Sequence, residues 1–170
     1  MNRRVFLYTM GTIGAGSVLA LLNSRIIADE ANNTMTISIE KLKLSKAQWK
    51  QKLTAEQFGV LRGEGTEPPF TSPLNKEYGE GTYVCAGCEL SLFSSETKFD
   101  SGTGWPSFWA PIESHVETKT DYKMILPRTE YHCVRCGGHQ GHVFKDGPAP
   151  TGQRWCNNGV ALRFIPSSQA

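Results

Sequence analysis

What this 170-residue chain lacks narrows what it can be. There is no internal repeat and no low-complexity block, which leaves about one globular domain's worth of sequence. There is also no basic excess of the kind a nucleic-acid-binding face needs. Formal charge is +2, from 18 Lys and Arg against 16 Asp and Glu. Setting aside Arg3, Arg4 and Arg25 of an N-terminal leader leaves 15 basic groups against 16 acidic ones, a net charge of −1. Nucleic acid is therefore not an expected partner. No acid precedes Asp29, and no cysteine follows the N-terminal apolar run, which excludes a lipid attached there.

The leader, residues 1–28, opens N-R-R-V-F-L and continues as an uncharged stretch from Val5 to Leu22. Paired arginines ahead of a short apolar region resemble a twin-arginine export signal. The competing reading is a retained membrane anchor. Met10–Leu22 is well short of the roughly 20 residues a spanning helix needs, whereas the count from Val5 is borderline. Export places the mature protein in the periplasm or on an extracytoplasmic face. Ala28 is a plausible boundary, although no clean A-x-A precedes it.

Residues 29–44 read as a loose mature N-terminus, with Ile37 and Ile39 alternating as a short strand. A single domain is expected over 45–170. Ser45 is placed to cap a helix running through Lys52, and Thr54 with Gln57 forms a capping box ahead of Phe58, Val60 and Leu61. The lysines at 41, 43, 46, 50 and 52 form a solvated face. Pro68, Pro69 and Pro73 in G-T-E-P-P-F-T-S-P then force an extended, turn-bearing segment.

From Gly81 onward short apolar alternations are separated by Gly, Pro and aromatic residues. With helices only at the start, this predicts a mainly β, antiparallel core.

Four of the five cysteines form two C-x-x-C units, Cys85–Cys88 and Cys133–Cys136. This spacing lets two sulfurs of one tight turn reach one metal, and four thiolates suit a structural zinc ion. Disulfides are an alternative in an oxidising compartment, and so is a redox dithiol. Neither pair precedes an obvious helix, where a thioredoxin-like motif would lie.

Cys156 is left over, inside R-W-C-N-N. If 153–158 is extended, Arg154, Cys156 and Asn158 share one face, and Trp155 and Asn157 share the other. A guanidinium beside sulfur favours the thiolate. His139 and His142 flank Gln140-Gly141 in what reads as a flexible loop, and an imidazole there can give a proton to a leaving oxygen. Two other readings stand beside this one. Cys156 and both histidines are buried structural groups, or the three ligate a second metal.

At this point the chain resembles a known family. G-T-E-P-P-F-T at 65–71, the first C-x-x-C, L-F at 92–93, K-F-D-S-G-T-G-W-P-S-F at 98–108 and the second C-x-x-C appear in order. They are followed by H-x-G-H-V-F-x-D-G-P-x-P-T-G-x-R-W-C-x-N at 139–158. Together they are similar to the peptide-methionine (R)-S-oxide reductases of the MsrB type, over roughly 45–165. The resemblance implies two antiparallel sheets with short N-terminal helices, and a zinc ion on Cys85, Cys88, Cys133 and Cys136. It makes Cys156 the nucleophile that attacks the sulfoxide sulfur and ends as a sulfenic acid. His139, His142 and Asn158 would bond and protonate the sulfoxide oxygen. Trp105 would pack on the substrate methyl group, with Phe108, Arg154 and Asp146 around the pocket. Implied partners are proteins containing methionine sulfoxide and a thioredoxin-like or other thiol reductant. A monomer is expected.

Several positions depart from the family pattern. Tyr is usual where Trp155 stands, Ser where Gly159 stands, and Leu is common at Gln140. Thr103 stands where many relatives carry a resolving cysteine, so the sulfenic acid must be reduced by an external thiol. A zinc-stabilised peptide-binding module without reductase activity is the rival reading, and the intact Cys156, His139, His142 and Asn158 set weighs against it.

Overall fold

The computed structural model describes residues 38–169. The leader over 1–28, the polar residues that follow it and Ile37 lie outside the described residues. Ile39 is in no strand. Ile39, Leu42 and Leu44 pack against the core, and Leu42 N–H bonds the Arg135 carbonyl at 2.7 Å. The segment 39–44 is therefore docked rather than loose, because its apolar side chains find a surface to cover.

Two helices follow, α1 (Lys46–Lys52) and α2 (Ala55–Leu61). Ser45 accepts from Gln48 N–H while the Gln48 side chain bonds back to Ser45 N–H, and Thr54 with Gln57 repeats the box. Helices this short do not hold in isolation. These persist by burying Trp49, Leu53, Val60 and Leu61.

The rest is β-structure: β1 (Gly81–Cys85), β2 (Ser91–Ser94), β3 (Lys98–Phe99), β4 (Ser107–Phe108), β5 (Val116–Asp121), β6 (Arg128–Cys133), β7 (His139–Phe144), β8 (Arg154–Asn157) and β9 (Leu162–Pro166). They form two antiparallel sheets, ordered β2-β1-β9 and β3-β4-β8-β7-β6-β5. The turn between β5 and β6 presents Tyr122, Met124, Ile125 and Leu126 to solvent.

Aromatic rings fill the space between the sheets. Phe93 stacks on Phe108 at 4.2 Å, and Tyr131 meets Phe93 and Trp155 edge-on at 6.1 and 5.0 Å. Phe108, expected beside the substrate, is wholly buried here. It belongs to the core, because its strand position pairs it with Trp155 and turns its ring toward the smaller sheet.

Candidate active site and metal centre

Both C-x-x-C units fold into the same turn. Glu89 N–H bonds the Cys85 carbonyl at 2.8 Å and Gly137 N–H bonds the Cys133 carbonyl at 2.8 Å. The closing residue is left-handed in each, with φ of 63° at Glu89 and 65° at Gly137. The fold brings the two turns face to face, so that the four sulfurs lie within 4.8 Å of one another. Cys85 and Cys136 sulfurs are 3.7 Å apart, and those of Cys88 and Cys133 are 3.4 Å apart. Four sulfurs at the usual zinc–sulfur distance stand about 3.8 Å apart at the corners of a tetrahedron. The cluster therefore fits a metal ion, and all five cysteines are free thiols. Hydrogen bonds from Cys133 and its neighbours pull Cys136 and Cys88 toward thiolate, and sharing those protons holds Cys85 and Cys133 in the thiol form. A divalent cation bound there would take the place of the shared protons. Arg62 closes one side, donating to the Cys136 carbonyl at 2.9 Å.

The second site is built on neighbouring strands. His142 on β7 and Cys156 on β8 are directly opposed in the antiparallel register. This pairing sets their side chains next to each other on one sheet face. His139 and His142, three residues apart, would point to opposite faces of a regular strand. A bulge against Tyr131 and His132 inserts Gln140 and restores the parity, bringing the two rings to 5.5 Å. The histidines thus sit on a strand, not in the flexible loop expected. Gly141 is required there, because a Cβ would collide with the Cys156 carbonyl oxygen.

Trp105, Cys156, His142, Phe144, Asn158 and Thr66 line a cavity of about 110 Å³. That is well below the roughly 300 Å³ at which sites for whole small molecules begin, and suits one side chain. A larger groove of about 910 Å³ runs between α2, the 65–74 segment and β9, and contains neither Cys156 nor an imidazole.

Residues 53–166 match the family model of the SelR domain. A peptide methionine sulfoxide reductase MsrB of Hahella chejuensis is 50% identical over 127 residues, 74% of this chain and 91% of the relative. The MsrB of Methanosarcina barkeri is 54% identical over 121 residues, covering 71% of this chain and 85% of its own. The chain belongs to the MsrB family.

In this MsrB chain the polar groups around the cavity are held by partners that motif reading did not assign. Asp121 accepts from His142 Nε2 at 2.8 Å and from Arg128 at 2.7 Å. A backbone bond from Lys123, then the His142 and Arg128 bonds, keep its carboxyl below the usual range. An ionised carboxylate only accepts, so His142 carries its proton on Nε2. Burial lowers the His142 pKa against the pull of Asp121, which leaves the ring neutral at pH 7. Glu130 likewise receives His139 Nδ1 at 2.7 Å and His132 Nδ1 at 3.1 Å. Burial works to raise the Glu130 carboxyl, but the bonds from His132 and His139 outweigh it and hold it at about 2. His139 Nε2 has no partner among the described residues.

Asn158 lines the cavity with its amide already committed. Oδ1 takes Glu67 N–H at 3.0 Å and Nδ2 donates to the Gln140 carbonyl at 2.9 Å. Glu67 also accepts the Trp105 indole N–H on its carbonyl at 3.1 Å, and its carboxylate takes the Gly159 and Val160 N–H groups. One buried residue of the G-T-E-P-P-F motif thus positions Trp105 and Asn158 together. Its signal in sequence is an acid inside a Pro-rich apolar segment.

Arg154 and Asp146 lie beside the cavity, paired with each other rather than lining it. Burial raises the Cys156 pKa, with Arg154 and a hydrogen bond from Thr103 opposing and Asp146 adding to the rise. The guanidinium acts in the direction anticipated from sequence, and desolvation acts against it.

Proposed function

We propose that the protein reduces methionine-R-sulfoxide in oxidised proteins to methionine, with Cys156 as nucleophile. The observation that carries this reading is the direct opposition of His142 and Cys156 in a side-chain-sized cavity walled by Trp105. The Cys156 sulfur attacks the sulfoxide sulfur, the S–O bond to methionine breaks, and oxygen ends on Cys156 as S–OH. The proton given up by the thiol finishes on that oxygen, so the step needs a shuttle rather than an outside acid. Neutral His142, with Nε2–H held by Asp121, has Nδ1 available to take and return it. Trp105 holds the methyl and thioether portion against its ring. Two equivalents of a thioredoxin-like or other thiol then release water and restore the Cys156 thiol.

Zinc is the ion we assign to Cys85, Cys88, Cys133 and Cys136. It would tie the two turns together structurally, and elemental analysis of the purified chain checks it. The paired arginines and apolar run support export by the twin-arginine route, with exported proteins as substrates and the protein acting as a monomer.

The deciding assay follows turnover of separated R- and S-sulfoxide peptides with dithiothreitol, for the parent and Cys156→Ser. Activity on the R epimer alone, lost in the variant, is expected. Equal rates for the two proteins would remove Cys156 from the reaction.

A further inference from the structure

Gln140 stands between the cysteine cluster and the catalytic cavity, wholly buried, at the bulge of β7. Its Nε2 donates to Cys85 Sγ and to the Gly138 carbonyl, each at 3.4 Å. Its Oε1 faces Asn157 Nδ2 at 3.5 Å. The surrounding bonds fix this orientation. Asn157 Nδ2 also donates to the Asn158 carbonyl at 2.8 Å, and the Tyr131 hydroxyl occupies Asn157 Oδ1 at 2.6 Å. An N–H directed at Gln140 requires an oxygen there, which turns the Gln140 nitrogen toward sulfur. The main chain completes the link, since the Gln140 carbonyl accepts Asn158 N–H at 2.8 Å and Asn158 Nδ2 at 2.9 Å.

A buried primary amide is unfavourable unless its donors are satisfied, and an apolar side chain of similar size would make no such demand. A metal-bound thiolate is a far better acceptor than a thiol, because the bond to it is charge-assisted.

We propose that Gln140 is a positioning residue that couples the two sites: its side-chain amide bonds the metal-bound Cys85 thiolate while its main-chain carbonyl holds Asn158 at the catalytic cavity. The proposal rests on the metal and reductase readings above. Filling the metal site stiffens the bulge, and the bulge sets Asn158 and, through Glu67, Trp105. Coupling of this kind is reciprocal, so substrate at the cavity must be felt at the metal.

The test uses the full chain loaded with Co(II), whose thiolate charge-transfer bands report on the four sulfurs, in a Cys156→Ser background that binds substrate without turnover. Gln140→Leu removes the donor, and Gln140→Met, a second variant, removes it while keeping side-chain length. In each folded variant the bands are expected to move to lower energy, because sulfur loses its N–H partner. Release of metal to a chelator is expected to become easier by on the order of 10- to 100-fold. N-acetyl-methionine-R-sulfoxide amide is expected to shift the bands when Gln140 is present and not in the variants. Bands and release that match those of the Gln140 protein overturn the proposal, as does a sulfoxide response that persists without Gln140. A chain that shows no thiolate-to-cobalt band fails the metal reading itself, a result distinct from the failure of Gln140.

Discussion

Arg154 grips Asp146 through two parallel N–H···O bonds, both 2.9 Å, while its guanidinium lies 4.3 Å from the centre of the Phe144 ring. The pair sets opposite fields on the Cys156 sulfur, lowering its pKa from the arginine and raising it from the aspartate. Arg154→Ala should therefore raise the Cys156 pKa further, and Asp146→Asn should lower it. The pH dependence of iodoacetamide alkylation at Cys156, followed by mass spectrometry, reads both. Shifts of the same sign in the two variants would contradict the assignment.

Neutral His142 and protonated Cys156 together hold the single proton that the reaction moves. The kcat/KM profile should show a plateau, with an acid limb below the ordinary imidazole value of 6.5 and an alkaline limb above the ordinary thiol value of 9.0. On the acid side His142 can no longer accept the proton, and on the alkaline side the thiol has none to give. His142→Gln should lower kcat by about 10²–10⁴-fold and abolish the acid limb. Retention of that limb would assign the shuttle to another group.

Thr103 and Arg154, not a second thiol, are the side chains that favour the Cys156 thiolate, and the other four cysteines are gathered on one another. One turnover without reductant should leave a sulfenic acid on Cys156, trapped by dimedone as a single adduct. Recovery of a disulfide between Cys156 and any of the four would refute both the external-thiol step and the metal site.

Glu67 accepts two backbone N–H groups on its buried carboxylate. Glu67→Ala leaves both unpaired and should destabilise the fold by roughly 2–5 kcal/mol in urea unfolding. Glu67→Gln, which keeps one acceptor oxygen, should lose less. Both should raise KM for the sulfoxide peptide, because Trp105 and Asn158 lose a shared support.

The Glu130 carboxyl, at about 2 in the folded chain against an ordinary 4.5, stabilises the fold fully above pH 4.5. That contribution, about 3 kcal/mol, is lost as pH falls toward 2. Urea midpoints for parent and Glu130→Gln should converge across this interval. Taking the difference between the two proteins removes the loss of metal in acid, which is common to both.

Much of this molecule was legible in its residues. The helix cap at Ser45, the capping box at Thr54, the paired C-x-x-C turns, the β character after Gly81 and the solitary Cys156 all follow from short-range geometry. A few bonded neighbours decide whether a turn can close or a helix can begin. Strand parity also placed Trp155 and Asn157 on the face away from Cys156, where Tyr131 meets both.

Tertiary structure decided the rest. Only the β6–β7 register shows that Gln140 is a bulge residue and that two histidines three apart share a face. Only packing shows that Phe108 is core, that Glu67 serves two site residues, and that Asp121 and Glu130 hold the imidazoles. The protonation of Cys156 is likewise a sum of burial, one cation and one anion, none readable from R-W-C-N-N alone. Spacing along a chain constrains bonded geometry, whereas register, desolvation and charge pairing depend on segments the sequence keeps far apart.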